Sequence, residues 1–349
     1  MIEVLVPGRP FAETVAFFVD ELGFRLQLIT PADDPSLAVA AGPGVTVRID
    51  RDAEVGATTL LLAGTGPTRH APNGTVIERT GQRSLELPEL VPELVVSREG
   101  DADAWVAGRA GMRYRDLVPS RLGGRFIASH IEVSDGGPVG DNVHHHDIRF
   151  QLIVCHRGWV DVVYQDQGPP FRMEAGDVVL QPPGIRHRVL AASAGARVVE
   201  IGCPAAHDTL FDHRLPLPNA ERRPDRRYGG QRFVHHVAAD SPWTPVAEGA
   251  VEAQVTDVCA ATDGLAAVRI LRPATGRAPS PSPSSPALQA AAAAEFHQLF
   301  VLAGSVRLDA DDLLEEGTAV TLPPARPISL SAPSDDLRLL EVTLPGTAS

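Results

Sequence analysis

Three histidines carry the clearest chemical pattern in this sequence. His144 and His146 are separated by one residue, and because side chains alternate along a β-strand, the two imidazoles project from the same face. His187 follows in a later segment that glycine and proline interrupt. Imidazole nitrogen is a suitable ligand for iron, nickel, copper and zinc. We therefore predict that His144, His146 and His187 bind one metal ion inside a β-barrel.

The histidines belong to two groups of residues with characteristic spacing. The first group is His144, His146, Gln151 and Gly158, and the second is Gly176, Pro182, Gly184 and His187. In order and spacing they resemble the two motifs of the cupin superfamily, which read His-x-His, three or four residues, Glu, six residues, Gly, and Gly, five residues, Pro-x-Gly-x-x-His. The resemblance implies a jelly-roll barrel whose histidines hold a metal and leave coordination positions open for substrate and oxygen.

Gln151 departs from the cupin motif, which usually has glutamate at this position. A neutral amide is a weaker ligand than a carboxylate and does not cancel the charge of the metal, so a bound water or substrate should be more acidic. An amide also cannot serve as a general base. Two alternatives stay open for Gln151: coordination of the metal, or a hydrogen bond to a bound ligand without contact to the metal.

Further side chains are candidates for the same pocket. If Gln151 faces the interior, strand alternation also places Ile153 and Cys155 there, and we expect Cys155 to be a packing residue. Three residues on neighbouring strands could transfer protons if they face the metal, namely Glu200, Tyr164 and Asp161. Arg125 and Arg149 are candidates for binding an anionic substrate, with a solvated surface charge as the alternative in a protein whose basic residues are all arginine.

From about residue 91 the sequence consists of short β-patterned segments separated by Gly, Pro and Asp, which is typical of a sandwich or barrel. Two similar halves can be recognised, because residues 150–154 resemble 296–301 and residues 180–183 resemble 321–324. The cupin resemblance thus extends to a bicupin. Its predicted parts are a metal-binding barrel at 113–205, a linker at 206–228 and a degenerate second barrel at 229–349.

The second half lacks the metal-binding residues of the first. The positions of the histidine pair correspond to Ala290 and Ala292, and the later motif has Ala325 and Ile328. His297 lies near the glutamate position, and one histidine does not hold a metal. We therefore predict that the second barrel is a structural partner without metal ligands. The low-complexity stretch at 273–294 is expected to carry no chemistry.

Residues 1–65 have a different pattern. An apolar strand at 2–6 precedes a segment of helical spacing that Gly23 ends, and alternating strands follow at about 24–28, 36–41 and 45–49. This βαβββ order and the turn at 18–24 resemble one module of the vicinal-oxygen-chelate (glyoxalase/bleomycin-resistance) superfamily. That superfamily usually has a histidine ligand on the first strand, where this chain has Glu3, so we expect a structural or dimerising module. Residues 66–112 are a predicted connecting segment.

The predicted fold class is therefore mainly β, with two cupin-type (jelly-roll) β-barrels preceded by a small βαβββ α+β module. The 44 acidic and 31 basic side chains leave a formal net charge of -13, which disfavours nucleic acid as a partner. All 31 basic residues are arginines, which excludes Schiff-base catalysis. An unpaired N-terminal module leaves a sheet edge to be covered, which favours a homodimer.

Three observations predict a cytoplasmic protein without membrane contact. The three cysteines form no CxxC pair, which fits a reducing compartment. The N-terminus has no basic-then-apolar leader pattern. The chain also has no apolar run of about 18 residues, the length that a membrane-spanning helix requires.

Three functions are compatible with this pattern. The first is a mononuclear non-haem Fe(II) dioxygenase, with Ni or Mn as alternative metals, acting with molecular oxygen on a small chelating substrate such as an enol, diketone, catechol-like or thiol compound. The second is a redox-neutral isomerase, cyclase or lyase that uses the metal, Zn included, as a Lewis acid. The third is a protein that binds a small molecule without turnover. For an enzyme, the candidate catalytic residues are Gln151, Glu200 and Tyr164.

Overall fold

The fold is almost entirely β-structure, which confirms the predicted fold class. The computed structural model describes residues 3–42, 44–80, 85–101, 105–108, 111–246, 251–274, 287–289, 294–309 and 311–345. The chain divides into two units, Met1–Ser84 and Leu85–Ser349. Within the described residues, no helix is long and apolar enough to cross a membrane.

The N-terminal unit contains a four-stranded sheet and one helix. Its first elements are β1 (Glu3–Pro7), α1 (Phe11–Ala16), which continues as a π-helical turn (Phe17–Glu21), β2 (Arg25–Thr30), β3 (Leu37–Gly42) and β4 (Val45–Asp50). The strand order is β1-β4-β3-β2, with β1 parallel to β4. β5 (Thr59–Ala63), β6 (Arg69–His70) and β7 (Val76–Thr80) form a second sheet of order β5-β7-β6. The βαβββ order agrees with the sequence pattern, whereas the family resemblance of this unit stays a prediction.

The helix of this unit is held by its apolar face. Phe17 and Phe18 are buried against Val47 and Ile49 of β4, as expected for apolar residues that recur with helical spacing. Gly23 ends the helix with a φ of 73°, a left-handed conformation that glycine adopts without steric cost.

The C-terminal unit begins with β8 (Val95–Ser97) and continues into the first barrel. The strands of this barrel are β9 (Trp105–Ala107), β10 (Arg113–Asp116), β11 (Ile127–Val133), β12 (Gly137–Pro138), β13 (His144–Asp147), β14 (Phe150–Arg157), β15 (Trp159–Tyr164), β16 (Phe171–Glu174), β17 (Val178–Leu180), β18 (His187–Ala192), β19 (Ala196–Cys203) and β20 (Asp208–Phe211). One sheet has the order β17-β14-β19-β11-β10-β9 and the other β16-β15-β18-β13-β20. The two sheets enclose an apolar core that includes Ile131, Val162 and Met173.

The second barrel has the same construction. Its elements, after the short β21 (Arg227–Tyr228), β22 (Gln231–Arg232) and β23 (Val234–His236), are a 3-10 turn (Ala238–Asp240), β24 (Thr244–Val246), β25 (Val251–Val255), α2 (Val258–Ala261), β26 (Ala267–Pro273), β27 (Ala287–Gln289), β28 (Phe296–Ala303), β29 (Ser305–Leu308), β30 (Asp312–Glu315), β31 (Ala319–Thr321), β32 (Pro327–Ser331) and β33 (Arg338–Leu344). Its sheets have the orders β24-β25-β26-β33-β28-β31 and β27-β32-β29-β30.

The two barrels exchange edge strands. β8, which precedes the first barrel in sequence, pairs with β31 of the second barrel. β23, which follows the first barrel, pairs with β17 of that barrel. The second barrel is therefore completed by a strand that precedes the first barrel in sequence. The first barrel is completed by a strand that lies at the start of the second half. The domain bounds inferred from the sequence remain a proposal.

An apolar layer joins the barrels, and strand alternation explains how it forms. Along β14, Phe150, Leu152 and Val154 face the second barrel, whereas Ile153 and Cys155 face the interior of the first. On the other side of the layer, Phe296 stacks on Phe126 of the first barrel with ring centroids 4.5 Å apart. The strand that carries Gln151 is thus fixed by packing on its opposite face.

A buried polar chain crosses the same contact. Arg115 donates to Nδ1 of His130 (3.2 Å), so His130 carries its proton on Nε2 and donates it to Nδ1 of His156 (2.9 Å). Nε2 of His156 then donates to the carbonyl of Leu302 in the second barrel (3.1 Å). Burial, with the nearby His156 and Arg115, lowers the pKa of His130 from 6.5 to about 2. His130 is therefore neutral in the folded chain.

We expect this neutral histidine to make the fold acid-sensitive. Below pH 6.5 the unfolded chain takes up a proton at His130 that the folded chain does not, so the free energy of unfolding falls as the pH falls from 6.5 towards 2. In His130→Phe the loss between pH 7 and pH 5 should be smaller by about 2 kcal/mol. Urea unfolding at the two pH values measures this difference. The exposed His213→Phe is the control, and equal pH slopes in wild type and His130→Phe would contradict the assignment.

Candidate metal centre

The strand register brings the three predicted histidines together. β13 and β18 are antiparallel, and His144 lies directly opposite His187. His146 is two residues along β13 and shares its face. The ring centroids are 4.3 Å apart for His144 and His187, 5.2 Å for His144 and His146, and 5.3 Å for His146 and His187. One ligand nitrogen from each ring lies within 4.8 Å of the others, and all three residues are buried.

Hydrogen bonds on the far side of the rings define their tautomers. Nδ1 of His144 is 2.7 Å from the carbonyl oxygen of Asn142, and Nδ1 of His187 is 3.1 Å from that of Ile185. Because a carbonyl only accepts, both Nδ1 atoms carry the proton, and Nε2 is the nitrogen through which these two rings would bind a metal. Nδ1 of His146 is paired with the hydroxyl of Thr209 at 3.1 Å. A set of three imidazoles fits a divalent first-row ion.

Gln151 belongs to a hydrogen-bonded chain beside the histidines. The hydroxyl of Tyr164 donates to Oε1 of Gln181 (2.7 Å), and Nε2 of Gln181 donates to Oε1 of Gln151 (2.9 Å) while lying 3.1 Å from Nε2 of His187. Nε2 of Gln151 in turn donates to Oε1 of Glu200 (2.5 Å). The amide oxygen of Gln151 keeps a second lone pair, so coordination of a metal and a flanking position both remain open to it.

The chain of hydrogen bonds has a fixed direction. Burial and the charge of Glu200 raise the pKa of the Tyr164 hydroxyl well above its usual value, so this group stays protonated and acts as the first donor. Burial also raises the pKa of the Cys155 thiol to about 12, which agrees with a packing residue rather than a nucleophile. Glu200 is the final acceptor of the chain.

A small cavity of about 100 Å³ adjoins these groups. Its polar end is formed by the three histidines with Gln151, Gln181, Tyr164 and Glu200, and Tyr114 and Arg188 also line the cavity. The remaining wall is mostly apolar and includes Ile131, Ile153, Val162, Met173 and Val198. The structure thus places the candidates Gln151, Tyr164 and Glu200 around one cavity with the histidines.

Three other candidates lie elsewhere. Asp161 is on the outer face of β15, where it forms a two-point ion pair with Arg172 (2.8 and 2.9 Å), so it does not face the metal. Arg125 and Arg149 both donate to Glu295, which precedes β28 of the second barrel. These arginines join the two barrels and do not line the cavity, so the sequence-based expectation of an anion clamp is wrong.

Comparison with known proteins agrees with this architecture. A family model described as AraC-like ligand binding domain matches residues 131–212. A variant of the oxalate decarboxylase of Bacillus subtilis has a TM-score of 0.51 at 13% identity, covering 75% of this chain and 80% of that one. Another structure of that enzyme, studied for its Mn(II) centres, has a TM-score of 0.50 at 13% identity with the same coverage. A protein of Pseudomonas aeruginosa described as glyoxylate-induced has a TM-score of 0.49 at 17% identity, covering 77% and 96%.

This chain has the bicupin fold. The match to oxalate decarboxylase spans both barrels, and the family model lies on the first. None of the curated proteins matches the chain.

The second barrel of the bicupin has counterparts of Gln151 and Glu200 at the same positions of its strands. The backbone amide of Leu322 donates to the backbone carbonyl of His297, just as the backbone amide of Gln181 donates to the backbone carbonyl of Gln151. His297 therefore occupies the position of Gln151. Glu341 faces Leu299 in register as Glu200 faces Ile153. Nε2 of His297 lies 2.9 Å from Oε1 of Glu341.

Charge compensation differs between the two barrels. Arg269 is the register partner of Glu341 and forms an ion pair with it, whereas the register partner of Glu200 is Ser129. Ala325 and Ile328 supply no ligand, and Ala290 and Ala292 lie outside the described residues. In the described part of the chain, the three histidines of the first barrel are the one group found that could hold a metal.

Sequence reasoning missed four contributors to the site. Gln181 lies in the Leu-Gln-Pro-Pro segment, which indicated only the repeat of the two halves and not a side chain of the site. Asp141, three residues before His144, lies 3.5 Å from Nδ1 of His144. Thr209 approaches from β20, with no marker in its own segment. His207 lies between β19 and β20, and its ring centroid is 5.3 Å from that of His146. The short distances of Asp141 and Gln181 along the chain from the histidine motifs could have indicated the first two.

Thr209 provides a test of the ring orientation. We expect Thr209→Val to lower metal affinity about tenfold, because second-layer partners of metal-binding histidines contribute on that order. Thr209→Ser is the matched control, since it keeps the hydroxyl and should retain wild-type affinity. Competition with a fluorescent chelator measures the dissociation constant. Equal affinity of Thr209→Val and wild type would show that this hydrogen bond does not orient His146.

Proposed function

We propose that this chain is a metal-dependent bicupin enzyme with one divalent ion in the first barrel, held by His144, His146 and His187. The observation that supports the proposal is the convergence of three buried imidazole nitrogens within 4.8 Å of one another. Imidazole nitrogens that converge in this way are a ligand set that suits a divalent first-row ion.

Within this proposal, the favoured activity is a mononuclear Fe(II) dioxygenase acting on a small chelating substrate, with molecular oxygen as co-substrate. When bound, the metal supplies a Lewis acid and a centre at which substrate and oxygen can meet. The protein residues bind and orient. Gln181 and Gln151 are positioned by their mutual hydrogen bond, and Oε2 of Glu200 is the atom at which a proton from the substrate would be held. The apolar wall excludes water from the reacting groups.

Two observations favour the alternatives. Glu200 lies at the polar end of a cavity with apolar walls, an arrangement that also suits proton transfer in a redox-neutral isomerase, cyclase or lyase. The family model on residues 131–212 is described as ligand binding, which suits a protein that captures a small molecule without turnover. A homodimer and a cytoplasmic location are further proposals.

Metal content is the direct test of the proposed function. Protein purified without added metal should contain close to one divalent ion per chain by elemental analysis, and His187→Ala should lose it. The exposed His213→Ala is the matched control and should keep the metal. If the iron form consumes oxygen with candidate chelating substrates, the dioxygenase is supported; turnover in the absence of oxygen and with zinc supports the redox-neutral enzyme. A wild type without metal, or a His187→Ala variant with full metal content, would contradict the proposal.

Gln151→Glu tests the departure from the cupin motif. We expect the added carboxylate to raise metal affinity by at least tenfold and to alter the rate of turnover, because a charged ligand offsets the charge of the ion and the amide does not. Gln167→Glu adds the same charge in a turn after β15 and serves as the control. Isothermal titration with metal measures the effect. Unchanged affinity and unchanged rate would show that Gln151 is a bystander.

A further inference from the structure

A buried carboxylate lies beside Nδ1 of His144, the nitrogen of this ring that is not offered to the metal. Oδ1 of Asp141 is 3.5 Å from this nitrogen, and both side chains are only 2% exposed, so the solvent screens the charge of Asp141 little. The carbonyl of Asn142 accepts the Nδ1 proton at 2.7 Å. Asp141 does not line the cavity and does not belong to the group of three candidate ligands. Any effect of Asp141 on the metal is therefore exerted through His144 and through its charge.

The position of Asp141 is fixed by a gap in the strand ladder. β12 pairs with the end of β18 and β13 pairs with its beginning, whereas residues 139–143 between these pairings form no strand. In this gap, Oδ2 of Asp141 accepts the backbone N–H of Val189 at 3.0 Å. The carboxylate thus takes the place of a backbone carbonyl. It holds the segment before His144 against the strand that carries His187.

A carboxylate behind a metal-binding imidazole strengthens that ligand. The ring becomes more positive when its other nitrogen binds a cation, and a negative charge on the far side stabilises this change. His146 and His187 have neutral groups in the corresponding hydrogen bonds, namely the hydroxyl of Thr209 and the carbonyl of Ile185. Asp141 therefore adds a charge to a ring that the backbone already orients.

This charge gains importance from the amide at position 151. A glutamate ligand, as in the cupin motif, would offset one of the two charges of a divalent ion, and Gln151 does not. Glu200 lies on the cavity side, where its Oε1 accepts the amide of Gln151 at 2.5 Å. In the proposed function Glu200 serves the substrate. Asp141 lies outside the cavity, so its charge is available to the metal whether or not a substrate is bound.

We propose that Asp141 is a positioning residue of the metal centre, which holds His144 in place and supplies, from behind that ring, negative charge that Gln151 does not bring to the ion. The proposal rests on the proposed function, since it requires a divalent ion at the three histidines. The two parts of the role are separable. Asp141→Asn keeps an oxygen that can accept the N–H of Val189 and removes the charge, whereas Asp141→Glu keeps the charge and changes the geometry.

Two ions with the same electron configuration distinguish the effect of charge from the effect of shape. Zn(II) and Cu(I) are both d10 ions without a geometric preference from their d electrons, and imidazole binds both, but their charges differ by a factor of two. We expect Asp141→Asn to weaken Zn(II) binding at least tenfold. Cu(I) binding should weaken by about the square root of that factor, because the Coulomb energy is proportional to the charge of the ion. Competition with chromophoric chelators under anaerobic conditions measures both dissociation constants.

The controls use the ratio of the two affinities. Asp147→Asn removes the same charge from the exposed end of β13 and should leave both affinities at the wild-type level, because solvent screens that position. Asp141→Glu should keep the wild-type ratio of Zn(II) to Cu(I) affinity even if both affinities fall, and it provides the comparison if Asp141→Asn does not fold. Unchanged Zn(II) affinity in Asp141→Asn, an equal loss for the two ions, or a changed ratio in Asp141→Glu would overturn the role of Asp141 and leave the metal-dependent function standing. A wild-type protein that binds neither ion would overturn both.

Discussion

The antiparallel pairing of β13 with β18 is the constraint on which the rest of the site depends. It sets His144 opposite His187, and strand alternation then brings His146 to the same face. A slip of one residue in this register would turn the histidines towards the outside of the barrel. The carbonyls of Asn142 and Ile185 hold the rings from behind, so the same backbone that forms the strands also sets the tautomers.

The two barrels differ in the groups that surround one equivalent glutamate. Both barrels carry a glutamate at the same register position, opposite the strand that bears the glutamine or the histidine. In the second barrel Arg269 and His297 surround Glu341, and the carboxylate is compensated by protein groups. In the first barrel the cation is proposed to be a metal held by three histidines next to Glu200. The same register position thus holds a carboxylate in both barrels, with protein partners in the second and a proposed metal site beside it in the first.

The structural features that a local sequence pattern specifies could be predicted. The spacing of His144 and His146, the Gly-Pro-Gly-His phrase and the β-alternation are local, and the bicupin fold and the convergence of the histidines followed from them. The partners of the rings could not be predicted, because backbone carbonyls carry no sequence signal and Thr209 comes from a strand added at the sheet edge. The ion pairs of Arg125 and Arg149 could not be predicted, because their partner Glu295 lies far away in sequence, across the contact between the barrels. The exchange of β8 and β23 is likewise a property of the assembled sheets.

The most direct measurement for the central claim is the position of the ion itself. Anomalous diffraction from crystals of the metal-loaded protein, recorded at the absorption edge of the metal, locates it without reference to activity. The account predicts one ion in the first barrel, about 2.0–2.2 Å from the Nε2 atoms of His144, His146 and His187. An ion bound through Nδ1, an ion at a different place in the chain, or an anomalous map without a peak between these three rings would contradict it.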